Sequence, residues 1–191
     1  MSKAVMISIR PNWCEKICRG EKTIEIRKTR PKLETPFKCY IYCTKAKERL
    51  IGILKDGDEN YGETYHGKPV FIKTDEGSVC DMWGKRQKVI GEFTCDLIYE
   101  LKAKAPGGSY YVKGEDEPTT NAVARQSCLT LKDMHEYLKA AKGYGWHISD
   151  LKIYDTPKEL DDFTGLRGTK FGSEPVAINR PPQNWCYVEE L

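Results

Sequence analysis

The segment GEKTIEIR, Gly20 to Arg27, sets Lys22, Glu25 and Arg27 close together on what its pattern predicts to be one strand. From Lys22 to Lys28 the residues alternate with period two, so Ile24 and Ile26 share one face and Thr23, Glu25 and Arg27 the other. Residues two apart on a strand project to the same side, where a carboxylate can hold a guanidinium in one orientation. An arginine held in this way presents a planar fork to a phosphate or a base edge. Lys22, beside the turn expected at Gly20, adds a compact point charge at the same mouth. The plainer reading of the same spacing is a solvated ion pair worth about 0.5 kcal/mol. Spacing alone does not choose between them.

Aromatic residues can complete such a site, because a base stacked on a ring gains roughly 1 to 3 kcal/mol whatever its identity. Trp83 with Lys85 and Arg86 is one candidate group, and GYGWH, residues 143–147, is another. Each also reads as a set of packing aromatics, and Trp13 reads as core. Basic residues outnumber acidic ones by more than two to one between Arg19 and Lys38, and Lys85 to Lys88 forms a second basic cluster. Such clusters either follow a phosphate backbone or simply face water. The whole chain has 31 basic and 28 acidic residues, net +3, too small a surplus to argue nucleic-acid binding by itself.

The eight cysteines show no C-x-x-C pair of the zinc-ribbon kind, and His66, His135 and His147 are scattered. Cys14 and Cys18 fall in an expected helix, Cys39 and Cys43 in an expected strand, and Cys80, Cys95, Cys128 and Cys186 stand alone. They read as reduced, mostly buried, small hydrophobes, and neither a metal nor another cofactor is expected.

These residues need a scaffold. The 191 residues exceed a prior of roughly 150 per domain by too little to require a second domain. A hydrophobic fraction of 39% is enough to bury a core. No apolar run approaches the roughly 20 residues of a membrane-spanning helix, and no signal peptide is visible, so a soluble cytoplasmic protein without a membrane partner is expected.

Ala4 to Ile9 suits a buried strand, and Pro11 a helix start, with Trp13, Cys14, Ile17 and Cys18 on one face up to Gly20. Strands are expected at Lys22–Lys28, Phe37–Thr44, Pro69–Lys73, 88–101 and Ile148–Tyr154, and a closing one at 184–190. Residues 105–121 read as a long loop, and 164–183 as loop-rich. Thr130 with Asp133 reads as a capped helix start, with a stripe of Leu131, Met134, Leu138 and Ala141 ending at Gly143. This order fits an α+β domain on a small, strongly bent sheet or barrel.

The motif and its setting carry a resemblance. Gly20, Lys22, Glu25 and Arg27 match G-x-K-x-x-E-x-R, and WCEKICRG before it with CYIYCT, KVIGEFTC and NWCYVEE after it agree in order with the ASCH domain, which is PUA-like. The resemblance covers about half the chain and is weakest over 45–84 and 103–127. It implies one domain over 1–191, a small PUA-like beta-barrel with flanking helices and insertions in those two segments. It also implies a cleft beside the motif strand and recognition of RNA or a modified, nucleoside-like small molecule, with Lys22, Glu25 and Arg27 as site residues. Trp83, Lys85 and Arg86 are added to the expected binding set.

Some ASCH-like proteins hydrolyse N4-acetylcytidine with a Lys, a Thr and a Glu. Lys22 matches the first, whereas Glu25 stands in the place of the Thr and Ser127 in that of the Glu. An amidohydrolase acting on an acylated nucleoside, with Lys22 and Glu25 as catalytic residues, is therefore the alternative, and RNA cleavage has also been attributed to the fold. A protein-interaction module using Tyr40 and Tyr42 is a third class.

Overall fold

Ala4 to Ile9 is buried on both faces, which is why it reads as a nearly continuous apolar run and not as an alternating one. The computed structural model describes residues 2–44, 49–54, 70–74, 88–103, 110–114, 117–139 and 141–191. In chain order the first elements are β1 (Lys3–Ile9), α1 (Pro11–Cys18), β2 (Ile24–Arg27), β3 (Phe37–Cys43), β4 (Arg49–Leu54), β5 (Val70–Thr74), β6 (Val89–Cys95), β7 (Ile98–Ala103) and β8 (Tyr110–Val112). They are followed by α2 (Glu117–Gln126), α3 (Leu131–Leu138), β9 (Gly143–His147), β10 (Ser149–Lys158), β11 (Thr164–Thr169), β12 (Gly172–Ala177) and β13 (Trp185–Glu189). This is an α+β chain of mixed sheets, and it separates into two compact units. The hydrogen-bonded order of its sheets is open among the described residues.

One unit comprises Met1–Arg19, Lys38–Phe93 and Leu151–Leu191. Its main sheet runs β10-β6-β3-β1-β13-β11-β12, with β1 parallel to β3 and antiparallel to β13. Tyr40 and Tyr42 pack with Ala4, Met6, Val89, Phe163 and Val188. The tyrosine face considered for a protein partner is thus interior to this unit, because those rings supply the volume that fills its core. Helix α1 begins at Pro11 and buries Cys14, Ile17 and Cys18, but Trp13 is only half-buried and is not core. The expected loop at 164–183 instead contains the antiparallel pair β11 and β12. Its glycines and Pro175 hid it, and a proline is acceptable there because β12 is an edge strand. Residues 45–48, 55–69 and 75–87 lie outside the described residues, while β4 and β5 pair antiparallel.

The other unit comprises Gly20–Phe37 and Thr94–Asp150, with sheet order β2-β9-β7-β8. The single long strand expected at 88–101 is interrupted at Asp96–Leu97, where the Leu97 carbonyl accepts from the His147 N–H at 2.9 Å and Asp96 Oδ1 lies 2.7 Å from His147 Nδ1. The expected loop at 105–121 contains β8 and the start of α2. Their link is tertiary: the Val112 N–H donates to Thr120 Oγ1 at 3.0 Å. Thr130 and Asp133 do form a reciprocal cap on α3, with Asp133 N–H donating to Thr130 Oγ1 at 3.1 Å. That helix ends at Leu138, before the expected Gly143, and Lys139 takes the left-handed conformation (φ 54). Gly143 opens β9, where a Cβ would lie 2.5 Å from Leu138 Cδ1. Ile24 and Ile26 join Leu101, Tyr110, Val112, Val123, Met134 and Leu138 in the core of this unit.

Gly91 marks a close approach within β6, which continues through it. A Cβ there would stand 2.5 Å from the Lys152 carbonyl of β10. Gly91→Ala should destabilise by about 1–3 kcal/mol, the range for overpacking. Gly168→Ala, which meets open space, should stay within about 0.5 kcal/mol of the wild type. Urea unfolding of both variants checks the contrast, and equal losses would remove the packing argument.

Candidate functional site

Strand β2 is buried on both faces, so its charged face does not meet water. Glu25 is 7% exposed and Arg27 8%. Arg27 Nη2 lies 3.0 Å from Glu25 Oε1, and Lys22 Nζ lies 3.2 Å from Glu25 Oε2. One carboxylate therefore spans two cations, using a different oxygen for each. A solvated pair of about 0.5 kcal/mol is excluded by that burial. Removing one member of a buried group costs about 3–5 kcal/mol, since the remaining charge is left uncompensated.

Lys22 is turned inward and is not an open point charge. Its ammonium donates to the Ser127 carbonyl at 2.7 Å, and the residue is 2% exposed. The backbone explains this direction. Thr23 N–H donates to the Gln126 carbonyl at 2.9 Å, and the Thr23 carbonyl accepts from Ile148 at 2.9 Å, so the chain before β2 is held between the end of α2 and the end of β9. Ser127 continues that helix end, with its Oγ donating to the Ala124 carbonyl at 2.8 Å. Carbonyls at a helix C-terminus lack intrahelical donors and favour a cation. Gly20, at φ +70, makes the turn that precedes Lys22.

The sheet register extends this group. Glu25 pairs with Trp146 and Arg27 with Tyr144 across β2 and β9. Trp146 pairs with Ile98 and Tyr144 with Glu100 across β9 and β7, and Lys102 with Tyr111 across β7 and β8. Directly opposed residues share a face. One face of the four-stranded sheet therefore carries Glu25, Arg27, Trp146, Tyr144, Glu100, Lys102 and Tyr111, while the other supports α2 and α3 through the core described above.

Trp146 is fully buried, edge-on to Phe37 at 6.0 Å, and so the GYGWH segment offers Tyr144 for stacking but not its tryptophan. Glu100 gathers three lysines: Lys142 at 2.8 Å, Lys113 at 3.6 Å and Lys102 at 4.0 Å. The Lys142 hydrogen bond, with help from the other ammonium charges and against some burial, holds the Glu100 carboxyl below the usual range. Lys142 Nζ also stands 5.2 Å from the centre of the Tyr144 ring. Tyr137 of α3 lies near the motif, since burial pushes its phenol up while Arg27 pulls it down and Glu25 pushes it up. Lys28 Nζ stands 5.2 Å over its ring.

The structure thus brings Lys22, Glu25 and Arg27 together, whereas Trp83, Lys85 and Arg86 lie outside the described residues. Sequence reasoning missed Glu100, Lys113, Lys142, Tyr111 and Tyr137. The alternation in IYELKA, residues 98–103, put Glu100 and Lys102 on one face, but nothing local joined them to the motif. Among the described residues no group of three His, Cys, Asp or Glu could hold a metal ion. Five of the seven described cysteines are buried, and burial followed by the Asp96 charge pushes the Cys95 thiol up to about 12, which makes it a poor nucleophile. No described helix is long and apolar enough to cross a membrane.

The chain matches no protein-family model and no curated protein. It is similar to the crystal structure of ASCH from Zymomonas mobilis at 15% identity and a TM-score of 0.49, covering 98% of this chain and 88% of that one. A mutant of that protein gives 15% identity and 0.49 over 98% and 89%, and a second mutant 15% and 0.47 over 98% and 91%. These structural neighbours are ASCH proteins.

Glu25→Gln should lower stability by about 3–5 kcal/mol, because two neighbouring buried cations lose their shared counter-charge. Chemical denaturation checks it, and a loss under about 1 kcal/mol would mean that the pair behaves as a solvated one. Glu100→Gln should act on pH dependence. A carboxyl depressed in the folded state stabilises above the ordinary carboxylate range and loses that contribution as pH falls through its lowered value. The variant's Tm should therefore fall less than the wild type's between about pH 6 and pH 3.

Proposed function

We propose that the chain binds RNA or a modified, nucleoside-like ligand in a cleft beside β2, with Arg27 as the recognising group and Glu25 as its orienter. The observation that carries this reading is the double contact of Glu25, which fixes the Arg27 guanidinium at 3.0 Å while its other oxygen meets Lys22. A guanidinium fixed in this way meets a phosphate or base edge with less ordering cost than a free one. Tyr137 and Lys28 beside it supply a ring and a cation. On the resemblance of the motif, we read residues 1–191 as one PUA-like domain, a small bent barrel with insertions near 45–84 and 103–127. A cytoplasmic setting accords with that role.

The expected behaviour is salt-dependent binding of a short labelled RNA, weakened by Arg27→Ala and also by Arg27→Lys, which keeps the charge and removes the fork. Circular dichroism and Tm establish that each variant is folded. Binding indifferent to salt and to both substitutions would overturn the reading.

Hydrolysis of an acylated nucleoside is the second reading, favoured by the 3.2 Å contact between Lys22 and Glu25. It ranks lower because the lysine ammonium is directed at the Ser127 carbonyl and the Glu25 carboxylate, away from any open surface. Incubation with N4-acetylcytidine and related acylated nucleosides should give no turnover. Turnover that Lys22→Met abolishes in a folded protein would reverse the order.

A further inference from the structure

The register that joins β2 to β9, β7 and β8 continues the motif's face into a surface that the motif itself does not reveal. Beyond Arg27 this face carries Tyr144 on β9, Glu100 and Lys102 on β7, and Tyr111 on β8, and Lys113 and Lys142 border it. The side chains of Lys102, Lys113 and Lys142 are 41%, 57% and 50% exposed, so their charge is available to a ligand. Tyr144 and Tyr111 are half-buried. The opposite face is closed by α2 and α3 through the core of the unit.

From these observations we infer that a single-stranded RNA lies across this sheet face, its bases on Tyr144 and Tyr111 and its phosphates on Lys102, Lys113 and Lys142. The inference rests on the RNA-binding reading of the motif and extends it along the sheet as a path.

Charge complementarity selects the occupant. Three ammonium groups surround one carboxylate, which leaves a surplus of positive charge on a face that also presents two rings. Lysines combined with sheet-borne aromatics suit a polyanion whose bases are unstacked and accessible. An acidic peptide would use the charge and leave the rings idle. A duplex would keep its bases stacked on one another and out of reach of the rings.

The spacing fits more than one base. Tyr144 and Tyr111 are two strands apart and offset by two residues along β7, which puts their backbones about 12 Å apart from ordinary strand spacings. Each ring therefore takes a different base. Glu100 is the counterpart of this arrangement, since it gathers the three lysines and at the same time repels an approaching phosphate. Its removal releases the lysines and deletes the repulsion.

Fluorescence anisotropy with a 5′-labelled unstructured 12-nucleotide RNA, the same sequence as a duplex, and a nucleoside monophosphate as competitor tests the inference. The wild type should bind the single strand more tightly than the duplex. Tyr144→Leu and Tyr111→Leu, which keep apolar bulk and lose the ring, should each weaken binding about five-fold or more. Lys113→Ala should reduce the slope of log affinity against log salt by about 0.7, the value for one phosphate of a single strand. Glu100→Gln should tighten binding, an effect opposite to that of simple structural damage. If the wild type binds RNA and Arg27→Lys weakens it while both tyrosine variants bind as the wild type does, the path is wrong and the motif reading stands. Equal affinity for duplex and single strand also overturns the path. No binding of any of the three probes ends both readings.

Discussion

The carboxylate of Glu25 is the interaction on which the rest of this unit depends. A buried segment that carries Lys22 and Arg27 would concentrate positive charge away from water, at a cost of several kcal/mol for each ion. Glu25 offsets this by meeting each cation with a separate oxygen. The arrangement has a positive excess, and the Ser127 carbonyl at the end of α2 takes part of it through Lys22. Charge, strand and helix end are therefore one device. The turn at Gly20 starts it, and the backbone bonds of Thr23 hold it in place.

That device also separates the roles of its two cations. Lys22 faces the helix end and ties α2 to the strand, while Arg27 sits opposite Tyr144 on the face that continues across β9, β7 and β8. A lysine suits the first role, since it needs only a point charge on a carbonyl, while the planar guanidinium of Arg27 is held by Glu25 at 3.0 Å. A general base would need a different setting, in which the acceptor side is open to substrate. The geometry at Lys22 is closed on that side.

The fold was legible wherever local signals were strong. Pro11 opened α1, Thr130 and Asp133 capped α3, Ala4–Ile9 lies within β1 and the closing strand forms at Trp185–Glu189, and Ile24 and Ile26 entered the core as their period requires. Signals failed where tertiary contacts compensated for weak local preference. The pair β11 and β12 is rich in glycine and contains Pro175, yet pairs along its whole length. Strand β8 and the start of helix α2 lie in a segment that reads as loop, joined by the Thr120 hydroxyl. Trp13 looked like core from its helical spacing, but the helix turns that edge partly outward.

The sequence by itself determined which residues of the motif share a face, because a period of two is a property of the extended backbone and survives any packing. It also determined that Glu25 could orient Arg27. Tertiary structure decided whether that face is wet, which is a matter of what covers it, and the answer was that both sides of β2 are buried. It decided too that Lys22 turns to a helix end more than 100 residues away, and that Glu100, Tyr144 and Tyr111 extend the same face. Hydrogen-bond register across distant strands sets those neighbours, and no local pattern encodes register between segments that meet only after folding.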